Sequence, residues 1–390
     1  MIGRGNSATL RPRESLPTAE PKSAHEARPV LTVRSGSVTT RRTRLELWGA
    51  RQCRWTCTQS WSQGTEKAPN AVTEALVSIQ RYRLAKRYLL APIAPLVERW
   101  GLSPPPSELK ARALRSLVMP KLVAEGRSFC REVEPGLRFQ GNTKDLLALE
   151  VYLFGSRGWQ PNLTAFLQRR LAPGDVFVDV GANHGWFTMH ASRLVGNTGS
   201  VVAVEASPIL ADRLRANIQV NNLRNVRVVV AAAWSGPGEL TLEHGPIEQT
   251  GITRVTSRES SSGDTRVRCD ALCNLLTDDE VARCRLVKMD VEGAEFEIIA
   301  GLAGDLERFA DHAEFVVAVH PSNASSPDSL DALMSIFANA GFAAYELPHS
   351  YAFRHFLLDT VPSSLHRLDD RPIEETDIVF SRQGDGVLDL

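Results

Sequence analysis

The feature that most constrains this chain is a glycine loop set between a strand and a helix, Val178-Asp179-Val180-Gly181-Ala182-Asn183-His184-Gly185-Trp186-Phe187. A turn signal, Pro173-Gly174, and a buried-strand run, Val176-Phe177-Val178, precede it, and an amphipathic stretch follows. This order brings backbone close to a nucleotide-like ligand, because glycine leaves room for the approach and permits the turn. Glu205 closes the next strand, 26 positions after Asp179. In a βαβ unit that is about where a carboxylate meets a ribose diol.

The rest of the chain supports an α/β fold. Strands are expected at 176–180, 200–205, 226–231, 285–290, 315–319, 342–346 and 377–381, with a small hairpin strand at 239–243. Helices are expected at 162–171, 186–194, 208–221, 294–302 and 329–340; Ser207 caps the third and Pro208 opens it. Apolar strand runs alternating with helices imply a mostly parallel sheet covered on both faces. Residues 128–155 read as short strands with a turn at Gly141-Asn142. Residues 71–127 read as a helical extension broken by Pro104-Pro105-Pro106, with a second helical piece from Glu108 to Glu125. Residues 1–70 are rich in Arg, Ser, Thr, Pro and Gly and read as a disordered tail, or as a stretch upstream of the native start. The main α/β domain is expected over 128–390, with its core at 172–346.

Bulk composition excludes several classes. The formal net charge is zero, so nothing pulls the whole chain toward nucleic acid or membrane. Residues 1–70 carry 12 Lys/Arg against 5 Glu and no Asp, and the remainder is acidic by difference. Six cysteines scattered over 390 residues do not form a small secreted disulfide scaffold. Cys53 with Cys57 and Cys269 with Cys273 are spaced C-x3-C without a histidine partner, so they read as free thiols rather than metal ligands. No apolar run reaches the roughly 18 residues of a membrane span, and the N-terminus lacks a secretory core. A soluble cytoplasmic protein is the expectation.

Two ligand classes suit the loop. A dinucleotide fold wants glycines at the first, third and sixth positions, where this chain has Gly181, Asn183 and Trp186. The missing glycines disfavour a nicotinamide or flavin enzyme, and no Lys-Ser/Thr follows a loop of nucleotide-triphosphate type. S-adenosylmethionine asks instead for a carboxylate near the methionine amino group, glycine backbone along the carboxypropyl chain, and a second carboxylate for the ribose. Asp179, Gly181 with Gly185, and Glu205 supply that set.

The stretches PGDVFVDVGANHGWFT, GNTGSVVAVEASP, LRANIQVNNLRNVRVVVAAAWSGPGELTL and RLVKMDVEGAEFEIIAGL resemble the FkbM family of class I S-adenosylmethionine-dependent methyltransferases. The likeness runs from about residue 154 to 320, and the block Lys288–Glu295 is its most specific part. The resemblance implies a Rossmann-like, doubly wound, seven-stranded sheet and O-methylation of a hydroxyl on a sugar, glycan or polyketide-like small molecule. It also implies that Asp179, Gly181, Ala182, Asn183 and Gly185 line the methionine end of the cofactor. Glu205, followed by Ala206, takes the ribose, and Ala232 and Ala233 lie by the adenine. Two positions depart from the family pattern: Ala206 replaces a common proline, and Ala318 replaces an acidic residue two places before His320.

Methyl transfer to a hydroxyl gains from in-line positioning and from a general base. Asp290, Glu292 and Glu295 fall at the carboxyl end of the fourth strand, where open α/β sheets bind ligands. His320 should reach the same edge as a base or substrate ligand. Glu292 and Glu295 also suit the positive end of a helix, His184 is a candidate contact inside the loop, and Asp270 reads as a helix cap. Nothing in the spacing demands a metal. Two other readings stay open, an N-methyltransferase of the same fold and a binding protein of this fold without catalysis.

Overall fold

The computed structural model describes residues 94–102, 107–244, 253–256, 265–291, 293–320, 327–348, 364–368, 372, 375–384 and 387–389. All fall in one compact unit that spans 68–390. The expected tail at 1–70, the first part of the helical extension, and Glu292 lie outside the described residues.

The described part of the extension is helical, comprising α1 (Ala94–Gly101), α2 (Glu108–Ala113), a π-helical turn (Leu114–Val118) and α3 (Met119–Glu125). Ser107 caps α2 by accepting from the Lys110 N–H at 3.4 Å, and Gly126 ends α3 in the left-handed region at φ 62°. Leu114, Val118 and Leu122 pack on Leu149 and Leu153 of the next helix.

Strands β1 (Ser128–Glu134) and β2 (Leu137–Asn142) form an antiparallel hairpin. Its turn falls at Pro135-Gly136, with Gly136 at φ 73°, and not at the expected Gly141-Asn142; Asn142 pairs with Ser128 at the open end. Helix α4 (Leu146–Phe154) occupies residues read as strand. It is apolar almost all round, so no helical period shows in its sequence, but Asp145 starts it by accepting from the Ala148 N–H at 3.1 Å.

Helix α5 (Pro161–Arg170) leads into β3 (Val176–Val180), α6 (Trp186–Val195), β4 (Ser200–Glu205), α7 (Pro208–Val220) and β5 (Val226–Val230). Ser207 caps α7, with Pro208 in its first turn. Then β6 (Ala232–Trp234), β7 (Gly238–His244), β8 (Thr253–Thr256) and β9 (Thr265–Ala271) build a four-stranded sheet in the order β6-β9-β7-β8. The expected strand at 239–243 is thus one member of a separate small sheet. Helices α8 (Leu272–Leu275) and α9 (Asp278–Ala282) return the chain to β10 (Cys284–Met289), α10 (Glu295–Leu302), β11 (Glu314–Val319), α11 (Pro327–Asn339), β12 (Ala343–Leu347), β13 (Ser364–Arg367), β14 (Thr376–Ser381) and β15 (Val387–Asp389).

Among the described residues the main sheet has nine strands, not seven, in the order β15-β13-β12-β14-β11-β10-β3-β4-β5. From β5 to β11 neighbours are parallel, and β14 is antiparallel to both β11 and β12. The two unexpected strands, β13 and β15, extend the edge beyond β12. They span only four and three residues, too few to show an alternation. Every residue of β3, β11 and β14 is buried, as a sheet covered on both faces requires. One apolar layer joins α4, α5 and α6 to the sheet, and another joins α8, α10 and α11 to it. Each large apolar side chain buried there contributes about 1.5–3 kcal/mol. The chain leaves β3 in one direction toward β4 and β5, then crosses back to β10 and β11, so the strand order reverses between β3 and β10. Open α/β sheets bind ligands at such a point.

Candidate functional site

A cleft opens at that reversal. Val180, Gly181 and Asn183 line it from the end of β3, Glu205 and Ala206 from the end of β4, Ala232 and Ala233 from β6, and Asp290 and Val291 from the end of β10. Seven of the expected residues therefore meet on one surface: Gly181, Asn183, Glu205, Ala206, Ala232, Ala233 and Asp290. Asp179, Ala182, Gly185, Glu295 and His320 are not part of the cleft wall.

The glycine loop is held by backbone bonds. Gly181 and Ala182 donate to the Val204 carbonyl at 3.0 and 3.1 Å, and Asp290 donates to the Val180 carbonyl at 3.1 Å. Gly181 sits at φ 76°, and a Cβ there would overlap the Asp290 carbonyl oxygen. Both facts demand glycine at this position. Asn183 is left-handed at φ 53°. Trp186, at the place of the missing dinucleotide glycine, is buried with its indole N–H donating to Thr164 Oγ1 at 3.2 Å.

Glu205 ties the loop to the start of α7. Its Oε2 accepts from the Asn183 N–H and its Oε1 from the Ser207 N–H, both at 2.8 Å. Burial pushes its carboxyl above the usual range, against the pull of the two N–H groups and Lys288. Each oxygen keeps a second lone pair.

Asp179 lies fully buried beneath the cleft. Its Oδ2 accepts from Thr188 Oγ1 at 2.6 Å. Its Oδ1 lies 3.4 Å from Lys288 Nζ, an ion pair without hydrogen-bond alignment. The same ammonium lies 3.8 Å from Asp290 Oδ2 and donates to the Gly181 carbonyl at 3.2 Å. Burial opposes its charge, but Asp179, Asp290 and Asp377 overcome this and raise its pKa. Sequence reasoning gave Lys288 no role, although a lysine within the run Leu286-Val287-Lys288-Met289 is itself a signal, since lysine is almost never buried without a partner. Asp377 pairs in register with Ala318. A buried carboxylate from β14 thus stands beside the position where the resemblance leads one to expect an acid.

Glu295, buried in the first turn of α10, accepts from the Val291 and Gly293 N–H groups at 3.1 and 3.2 Å. It closes the loop after β10. Burial raises its pKa, the backbone bonds oppose this, and Asp290 adds to it. His320 follows β11 directly, with Nδ1 3.3 Å from Glu375 Oε1. Burial works against its charge, yet Glu375, then Asp290 and Glu295, push its pKa up to about 9. At neutral pH it carries its second proton. His184 points away from the cleft, toward Asp145 and Arg213. Asp270 does not cap α8 from its start; its Oδ1 accepts from the Ala271 N–H at 2.9 Å and from Asn274 Nδ2 at 2.8 Å. Among the described residues no group of three or more His, Cys, Asp or Glu is placed to hold a metal ion, and no helix is long and apolar enough to cross a membrane.

The strand order β12-β14-β11-β10-β3-β4-β5, the reversal at β3 and β10, and the glycine loop at the cleft define a class I S-adenosylmethionine-dependent methyltransferase fold. Residues 179–344 match the methyltransferase FkbM domain. The chain is 30% identical over 136 residues to the hexuronic acid methyltransferase AglP of Haloferax volcanii, covering 34% of this chain and 52% of that protein. It is 36% identical over 69 residues to a probable cobalt-precorrin-6B C(15)-methyltransferase of Sulfolobus acidocaldarius, covering 18% of this chain and 36% of that one. The chain thus spans about half, or less, of the length of these curated relatives. Among solved structures, the methyltransferase FkbM of Methylobacillus flagellatus aligns at 12% identity and a TM-score of 0.35, over 56% of this chain and 50% of that one.

Proposed function

We propose that this protein transfers the methyl group of S-adenosylmethionine to a hydroxyl of a small molecule, with a sugar or glycan as the favoured acceptor. The observation that carries the reading is the cleft between β3 and β10, with the Glu205 carboxylate on one wall and the Asp290 carboxylate on another. The family match supports the reaction class, and the similarity to a hexuronic acid methyltransferase supports a sugar acceptor.

The residues suit the cofactor. Glu205 oxygens retain acceptor capacity for the ribose hydroxyls, and Ala231, Ala232, Ala233 and Leu242 offer an apolar wall for adenine. At Gly181 only a bare backbone fits, which lets the ends of β3 and β10 close against each other at the edge of the cleft. Asp179, held by Thr188 and Lys288, supports this end from below rather than from the wall. Bound S-adenosylmethionine supplies a methyl already activated on a sulfonium. The chain supplies the rest. Asp290 Oδ2 takes the proton of the acceptor hydroxyl, and Lys288 steadies that carboxylate from 3.8 Å. His320, holding its proton beside Glu375, donates a hydrogen bond and does not serve as the base at neutral pH. Val291 and Ala294 give an apolar rim that limits water. The four free thiols among the described cysteines, three of them buried, support a reducing compartment such as the cytoplasm.

Calorimetric titration of the full chain with S-adenosylmethionine tests the reading. Saturable binding is expected, weakened about tenfold or more in Glu205→Gln, the scale of a lost hydrogen bond to a charged group. Absence of binding by the wild type overturns it. Label from methyl-labelled cofactor should then appear in a hydroxylated component of a cell extract.

A further inference from the structure

We infer that His184 is a positioning residue that fixes which face of the Asn183 amide meets the cofactor. The inference rests on the reading of the cleft given above. It starts from a buried chain of polar groups behind the glycine loop. His184 is 1% exposed. Its Nε2 lies 3.3 Å from Arg213 Nη1 and 3.9 Å from Asp145 Oδ1, while Asp145 Oδ2 lies 3.7 Å from the same Arg213 nitrogen. Its backbone carbonyl accepts from Asn217 Nδ2 at 2.9 Å, and Phe139 packs alongside with ring centroids 6.1 Å apart.

The chemistry of these partners decides the tautomer. A guanidinium can only donate, so Nε2 facing Arg213 must accept. The ring proton then sits on Nδ1, which lies 2.6 Å from Asn183 Oδ1 and donates to it. Burial holds the ring neutral, in keeping with a single ring proton. An Asn amide has one acceptor end and one donor end. With Oδ1 committed to His184 and the backbone N–H committed to Glu205 at 2.8 Å, the Nδ2 donor is the side-chain group Asn183 keeps for a ligand oxygen. Asn183 lines the cleft beside Gly181. The ligand group that answers a fixed N–H donor there is an acceptor oxygen, which on S-adenosylmethionine means the carboxylate of the methionine end. The strained left-handed backbone of Asn183 is held from both sides, by Glu205 and by His184.

The test compares two probes, S-adenosylhomocysteine and 5′-methylthioadenosine; the second lacks the aminocarboxypropyl chain and its carboxylate. His184→Leu should weaken S-adenosylhomocysteine about tenfold by calorimetry and shift 5′-methylthioadenosine less than about twofold. His184→Asn, which restores a donor near the Nδ1 position, should recover part of the loss. If His184→Leu does not fold, Arg213→Met reads the same selectivity from a partly exposed residue. Parallel weakening of both probes, or no change in either, overturns the inference. A wild-type chain that binds neither probe overturns the cofactor reading and this inference together.

Discussion

Gly181 and Asp290 come from strands more than a hundred residues apart, and the carbonyl oxygen of Asp290 fills the space where a Cβ on Gly181 would be. The two strand ends, β3 and β10, are closed against each other at the point where the cleft begins. Gly181→Ala therefore meets two obstacles, a φ of 76° and an overlap with backbone, which cannot rotate away. A loss of stability of at least about 2 kcal/mol is expected, with loss of S-adenosylmethionine binding. Urea unfolding with calorimetry on the same sample measures both; a variant with wild-type midpoint and affinity contradicts the account.

Lys288 is the buried cation shared by Asp179 and Asp290. Lys288→Met leaves those carboxylates without it and is expected to cost about 3–5 kcal/mol, the usual scale for breaking a buried pair from one side. Adding Asp179→Asn should recover a sizeable part of that loss. Denaturant curves of the single and double variants decide the point, and strict additivity of two losses speaks against a shared ion pair.

Asp290→Asn keeps the shape of the cleft and removes the proton acceptor. Methyl transfer should fall by about 10²-fold or more, the scale of a general base, while cofactor affinity changes much less. Incorporation of label into an identified acceptor, set against calorimetric affinity, separates the two effects. Undiminished transfer removes Asp290 from the reaction.

His320 titrates near 9 beside Glu375. Its folded-state pKa lies above the ordinary value of about 6.5. The stability it contributes is fully present below about 6.5 and is lost as the pH rises through 9. Glu375→Gln should bring the imidazole down toward its ordinary value and flatten stability across that window. An NMR titration of the ring protons reads the pKa directly; an unchanged titration removes Glu375 as the cause.

Much of this site was legible in the sequence because its parts are local. The β3 run, the loop glycines and Glu205 lie within one βαβ unit, and a 26-residue spacing placed the carboxylate on the cleft. Ser207 and Pro208 marked a helix start that the chain uses. What escaped was long-range or featureless. Helix α4 is apolar on nearly every side, so its period was hidden. Asp145, His184 and Arg213 meet only after α4, the loop and α7 pack together. The Lys288 to Asp179 pairing depends on β10 lying next to β3, which no local pattern records. Asp377, likewise, stands opposite Ala318 only through the antiparallel insertion of β14.

That insertion orders events in time. Strand β14 enters the sheet between β11 and β12, both of which are synthesised before it. Strands β11 and β12 are joined only through β14, so residues 376–381 pair both of their facing edges and bring the Asp377 carboxylate that acts on Lys288. The charge balance beneath the glycine loop is thus completed by a strand that follows both of its sheet neighbours in the chain.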